Sequence, residues 1–131
     1  MEKEILIVDD EPLIARMIEA VLRMNGYARL MVFSEAPAAL EYFMAHADQV
    51  GVLLLDWKMP ELNGLAFAAR ARAARPDIPI VMVTAFDARA AADGESLDME
   101  RVRFIPKPFA PTQLLTAVTE WLPAPVASGK K

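Results

Sequence analysis

The sequence predicts an α/β domain built on a parallel sheet with helices on both faces. Three observations carry that expectation. Apolar runs without alternation, Ile5–Val8, Val50–Leu55 and Ile78–Val83, read as strands buried on both faces. Stretches with helical spacing or high Ala content lie between the strands, so strand and helix alternate five times along the chain. A length of 131 residues suits one domain with its own core. Alternation of this kind implies right-handed crossovers.

The first strand, Ile5–Val8, stops at Asp9, Asp10 and Glu11. Pro12 suits a first helical turn, where its missing N–H would have no partner anyway. Leu13, Ile14, Met17, Ile18, Val21 and Leu22 then recur at helical spacing, with Arg16, Glu19 and Arg23 opposite. Glu19 and Arg23 form an i, i+4 pair in the favourable order, and Asn25-Gly26 supplies a left-handed stop. Leu30–Phe33 is the second strand, and Ser34 is a candidate N-cap for a helix carrying Leu40 and Phe43 and ending near Ala47.

The run Val50–Leu55 ends abruptly in Asp56, followed by a loop with Pro60, Asn63 and Gly64. The Ala-rich segment Gly64–Arg75 predicts a helix with Phe67, Ala71 and Ala74 on one face and Arg70, Arg72 and Arg75 exposed, stopped by Pro76. Ile78–Val83 leads to Thr84-Ala85, and Ala content predicts a helix over Asp87–Asp98 despite Gly94. Val102–Ile105 is a short last strand ending in Pro106-Lys107-Pro108. Pro111 opens a final helix with Leu114, Leu115, Val118 and Leu122 on its apolar face. Residues 1–122 read as the domain, and residues 123–131 as a flexible tail or linker remnant behind a natural N-terminus at Met1.

A formal net charge of −4 and a pI near 5.0 argue against direct nucleic-acid binding. The chain has no Cys, so neither a disulfide framework nor a thiolate metal site is available. No segment approaches the roughly 20 apolar residues of a membrane helix. The expected location is the cytoplasm.

In a parallel sheet all carboxyl ends lie on one edge, so Asp9-Asp10, Asp56, Thr84 and Lys107 converge there. Clustered carboxylates repel unless a cation sits among them, and hard oxygen donors suit Mg²⁺. Acids for a metal, a Lys for phosphoryl oxygens and a hydroxyl are the parts needed to place a phosphoryl group. Asp56, on the most buried strand, is the natural nucleophile. Glu11 follows the acidic pair and is a further metal-ligand candidate, but charge complementarity at a helix N-terminus explains it as well and is the favoured reading. His46 reads as a surface residue without partners.

The set Val8-Asp9-Asp10-Glu11-Pro12, Leu55-Asp56-Trp57-Lys58-Met59-Pro60 with Asn63-Gly64, Val83-Thr84-Ala85 and Pro106-Lys107-Pro108-Phe109 resembles the receiver domain of bacterial two-component response regulators. The resemblance covers about residues 4–122, with the four motifs in the family's order and spacing. It implies a flavodoxin-like (βα)5 three-layer sandwich with a five-stranded parallel sheet of order 2-1-3-4-5. It implies that Asp56 accepts a phosphoryl group from a histidine kinase or histidine phosphotransferase, and that phosphorylation switches the conformation to control a protein partner. Asp10, Asp56 and the backbone carbonyl of Lys58 would hold Mg²⁺, with Asp9 assisting through water. Lys107 would pair with the acyl phosphate and Thr84 would hydrogen-bond it. Phe104, three positions before the lysine, stands where the family carries a rotameric switch, and reads equally as a core residue.

The resemblance further implies a cis Lys107–Pro108 bond, and a signalling domain that assists its own phosphorylation and autodephosphorylation rather than an enzyme acting on other substrates. Lys58 and Phe86 would govern water access to the acyl phosphate. Ile14 and Met17 flank the helix beside the site and are candidates for kinase docking. A dimer formed on phosphorylation is among the allowed partners. One departure is the missing Gly-Ala pair before the last strand, which places the fourth helix and the output face in question.

Three other readings compete. An aspartyl-nucleophile phosphatase uses similar groups but has its nucleophile on the first strand and needs a cap domain that 131 residues leave no room for. A receiver fold with a dead site conflicts with the complete acid, Thr and Lys set. A flavin-binding domain would need a Ser/Thr/Gly-rich phosphate loop after the first strand.

Overall fold

The computed structural model describes residues 3–84 and 100–123. Its elements are β1 (Glu4–Val8), α1 (Pro12–Met24), β2 (Leu30–Phe33), α2 (Ala36–His46), β3 (Val50–Asp56), α3 (Gly64–Ala74), β4 (Ile80–Thr84), β5 (Val102–Pro106) and α4 (Pro111–Trp121). The five strands form one parallel sheet of order β2-β1-β3-β4-β5. The helix expected over Asp87–Asp98, Phe86 and the expected tail from Ala124 onward lie outside the described residues.

Alternate residues of each inner strand serve two separate cores, the physical reason the strands read as unbroken apolar runs. Leu6, Val8, Leu53, Leu55, Ile80 and Met82 pack on one face with Phe43 of α2 and Phe67 of α3. Ile5, Ile7, Val52, Leu54, Val81 and Val83 pack on the other with Ile18 and Leu22 of α1 and Leu114 and Val118 of α4. The sheet is thus the middle of three layers.

Several local expectations hold. Glu19 and Arg23 pair at 3.1 Å. Gly26 has φ 95°, the left-handed stop that α1 requires. The Lys107–Pro108 bond is cis.

Others do not. Helix α2 starts later than Ser34 suggests: its N-cap is Glu35, with no side-chain cap bond. Ala74 is exposed, whereas Arg72 is buried and Arg75 half-buried. The reason lies at the amino edge of the sheet, where carbonyls entering the strands need donors. Arg72 donates to the carbonyls of Ile78 (2.9 Å), Glu100 (2.8 Å) and Arg101 (3.2 Å). Arg75 donates to Ala47 O at 2.6 Å and to Val50 O, and Arg101 Nε to Asp77 O at 2.7 Å. A guanidinium presents several donors in a fixed fork, which lets one side chain serve several carbonyls. His46 is also not a lone surface residue. It is half-buried, its Nδ1 lies 2.9 Å from Tyr42 O, and its ring stacks on Tyr42 at 4.0 Å.

Candidate functional site

The backbone pairing extends one residue beyond the strands and fixes the site residues. Asp9 N donates to Phe33 O (3.1 Å), Trp57 N to Val83 O (2.9 Å) and Lys107 N to Thr84 O (2.7 Å). The positions that end β1, β3 and β5 are therefore anchored by ladder bonds, and their side chains start from fixed points. Gly64 closes the far side: its N–H donates to Trp57 O at 2.8 Å, and a Cβ there would stand 2.5 Å from Asp56 O.

These elements enclose an open pocket of about 280 Å³ lined by Asp10, Glu11, Asp56, Trp57, Lys58, Thr84 and Lys107. Carboxylate oxygens of Asp9, Glu11 and Asp56 lie within 4.8 Å of one another. Lys107 Nζ is common to all three, at 2.8 Å from Glu11, 3.2 Å from Asp56 and 3.4 Å from Asp9. Asp9 Oδ1 accepts from Glu11 N at 2.9 Å, while its buried Oδ2 accepts no hydrogen bond among the described residues. The N–H of Lys58 leans toward Asp56 Oδ1 at 3.4 Å, too long for a strong bond. Thr84 is buried at the end of β4, and Phe104 is half-buried on β5.

Among the described residues, the expected phosphoacceptor, lysine, threonine and metal-ligand residues fall in or beside this pocket, whereas Phe104 lies further back on β5. The grouping differs in one respect. Glu11, not Asp10, completes the tight set of three acids, and its side chain reaches Lys107 instead of capping α1. Glu is a poor N-cap compared with Asp, Asn or Ser. A Glu at that position was the available sign of another partner, but Lys107 is 96 residues away in sequence.

Burial and charge set the electrostatics. Burial first, then the neighbouring Asp9 carboxylate, push the Asp56 carboxyl up to about 7, against the pull of Lys107. Burial also raises Asp9 above the ordinary carboxylate range. Lys107 loses by burial but gains more from Glu11, Asp9 and Asp56, so it stays protonated well above its usual value. Two acids held partly against their ionisation, with one buried oxygen that has an ammonium at 3.4 Å but no hydrogen bond, form a donor set that a small hard cation would relieve.

A pH dependence follows. The folded-state value of Asp56, about 7, exceeds its ordinary 3.8, so folding favours the protonated form. The cost of the charged form is absent below pH 4, grows between about 4 and 7, and is complete above 7. In EDTA the unfolding free energy should therefore fall across that window. Mg²⁺ should flatten or reverse the slope, because metal binding favours the ionised acids. Thermal melts at pH 5 and 8, with and without Mg²⁺, check this. Equal melting at both pH values in EDTA would show Asp56 ionising freely.

A family model described as the response regulator receiver domain matches residues 5–119. The chain belongs to that family. It is a phosphoacceptor signalling domain of two-component systems, with the flavodoxin-like fold of its relatives. It is 34% identical over 113 residues to the chemotaxis protein CheY1 of Helicobacter pylori, covering 85% of this receiver and 90% of that protein. It is 33% identical over 115 residues to the response regulator MprA of Mycobacterium tuberculosis, covering 88% of this chain but 48% of MprA, about half its length. A solved receiver from Sinorhizobium medicae superposes with a TM-score of 0.79 at 26% identity, covering 92% of this receiver and 94% of that chain. No helix among the described residues is long and apolar enough to cross a membrane.

Proposed function

We propose that Asp56 is the residue of this receiver that takes the phosphoryl group, in a Mg²⁺-dependent reaction. The observation that carries the reading is the Lys107 ammonium 3.2 Å from Asp56 Oδ1, inside a pocket that Asp10, Glu11 and Thr84 also line. An Asp56 oxygen attacks phosphorus in line with the leaving group. The new O–P bond forms as the donor's bond to phosphorus breaks, and the donor leaves with that electron pair. Lys107 moves from Asp56 to a phosphoryl oxygen, and the Thr84 hydroxyl donates to another. Asp10, Asp56 and the Lys58 carbonyl, with Asp9 through water, would hold Mg²⁺; Asp9 and Asp56 are also two of the three clustered acids. When bound, the cation offsets charge on the phosphoryl oxygens.

The donor is a phosphohistidine of a histidine kinase or phosphotransferase in the cytoplasm. Leu13 and Met17 expose apolar surface on α1 beside the pocket, at 81% and 43%, and Ile14 is half-buried, which supports docking there. The receiver comprises residues 1–122, hydrolyses its own acyl phosphate, and acts through a protein partner. Phe104 packs against the core of the α2–α3 face while remaining half-buried, which supports a side chain able to change its burial on switching.

Peptide mass spectrometry after acetyl phosphate treatment tests the assignment. Label should appear on Asp56 with Mg²⁺ and not with EDTA; label elsewhere would refute it. A second readout is optical. Trp57 is buried but lines the pocket, whereas Trp121 lies on α4 with Arg101 and Arg103 over its ring at 4.9 and 5.3 Å. Mg²⁺ should change the emission in Trp121→Phe and leave Trp57→Phe unchanged. The reverse pattern would place the cation elsewhere.

A further inference from the structure

Glu11 is the closest of the three acids around Lys107, at 2.8 Å against 3.2 Å for Asp56 and 3.4 Å for Asp9. It is also the acid that faces solvent. Its side chain is 59% exposed, while those of Asp56 and Asp9 are 6% and 2% exposed. Its backbone is fixed: Glu11 N donates to Asp9 Oδ1 at 2.9 Å, Glu11 O accepts from Ala15 N at 3.0 Å, and Pro12 follows. Motion at this position is therefore confined to the side chain, which has open solvent to swing into.

A phosphoryl oxygen arriving at Lys107 brings negative charge to the spot that the Glu11 carboxylate already serves. Like charges cannot share one ammonium without repulsion. The buried acids stay in place, so Glu11 is the group that yields. We infer that Glu11 is a charge latch on Lys107: a positioning residue that holds the ammonium until an anionic phosphoryl donor displaces it. The latch competes with donor binding and is already open once the donor is seated. This inference rests on the reading of Asp56 as phosphoacceptor and adds a control on how readily small anionic donors reach it.

The test measures labelling of the full chain across acetyl phosphate concentrations, in Mg²⁺, for the wild type, Glu11→Gln, Lys107→Met and the double variant. Glu11→Gln should lower the apparent KM for acetyl phosphate about three- to fivefold, the scale of one exposed ion pair. The rate at saturation should move less than KM does. In the Lys107→Met background the same substitution should leave KM unaltered, because the latch has lost its partner. An unchanged KM in Glu11→Gln overturns the inference. So does an equal gain with and without Lys107, which would mean diffuse repulsion by Glu11. Absence of label on Asp56 in the wild type would instead defeat the parent reading. Glu11 makes no cap bond to α1, so Glu11→Gln keeps the fold, and a melting temperature equal to the wild type's confirms it; the double variant is compared with Lys107→Met alone.

Discussion

Asp56→Asn should take up label from acetyl phosphate at less than about one thousandth of the wild-type rate, at any Mg²⁺ concentration. The amide is nearly the same size as the carboxylate but lacks a nucleophilic oxygen. Its placement should be intact, since Trp57 N still bonds Val83 O and Gly64 N still bonds Trp57 O through the backbone. Misfolding is an implausible source of the loss, and stability provides the check. The substitution removes a carboxylate that burial and Asp9 push up to about 7. The variant should therefore melt at or above the wild type in EDTA at pH 8. Label that persists in Asp56→Asn, on Asp9 or Asp10, would show that the pocket and not this residue selects the acceptor. A variant that loses both label and stability would leave Asp56 with a structural role.

Gly64→Ala should destabilise the domain by about 2–3 kcal/mol, the upper range for forcing extra volume into a packed site. The added Cβ would meet Asp56 O at 2.5 Å, Met82 Sδ at 2.9 Å and Trp57 Cα at 3.0 Å. The methionine can move, but the other two contacts are backbone, of Asp56 at the end of β3 and of Trp57 just after it. The clash is resolved by shifting either the start of α3 or the end of β3. In the second case Asp56 leaves its register with Val83 and its distance to Lys107 changes. Chemical denaturation and the labelling rate should therefore decline together. A stable Gly64→Ala with normal labelling would mean that α3 can retreat without cost.

The sheet and the convergence of its strand-end residues were legible in the sequence because both rest on strong local signals. An inner strand of a parallel sheet must be apolar on both faces, so Val50–Leu55 stands out, and the acid that ends it is conspicuous. Topology then brings the strand ends together whatever the loops between them do. What was missed depends on partners distant in sequence. Arg72 and Arg75 read as exposed because helical periodicity sees one helix and its apolar face. Their acceptors, the carbonyls of Ile78, Glu100, Arg101, Ala47 and Val50, belong to other segments. Ser34 is a sound cap residue in isolation, yet the chain runs extended through Glu35 and the helix begins at Ala36, with Pro37 in its first turn. Glu11 looked like local dipole complementarity for the same reason, since nothing near it in the chain announces Lys107.

The arginines that seal the entering ends of the strands have a mechanical consequence. Arg72 ties α3 to the approaches of β4 and β5, Arg75 ties it to the start of β3, and Arg101 ties β5 back to Asp77. Each strand from β3 to β5 is thus clamped at its root, while Asp56, Thr84 and Lys107 stand at the three tips. The sheet behaves as a set of cantilevers fixed on one wall. A force applied at Lys107 would therefore act on the tips, while the roots hold the register of these strands.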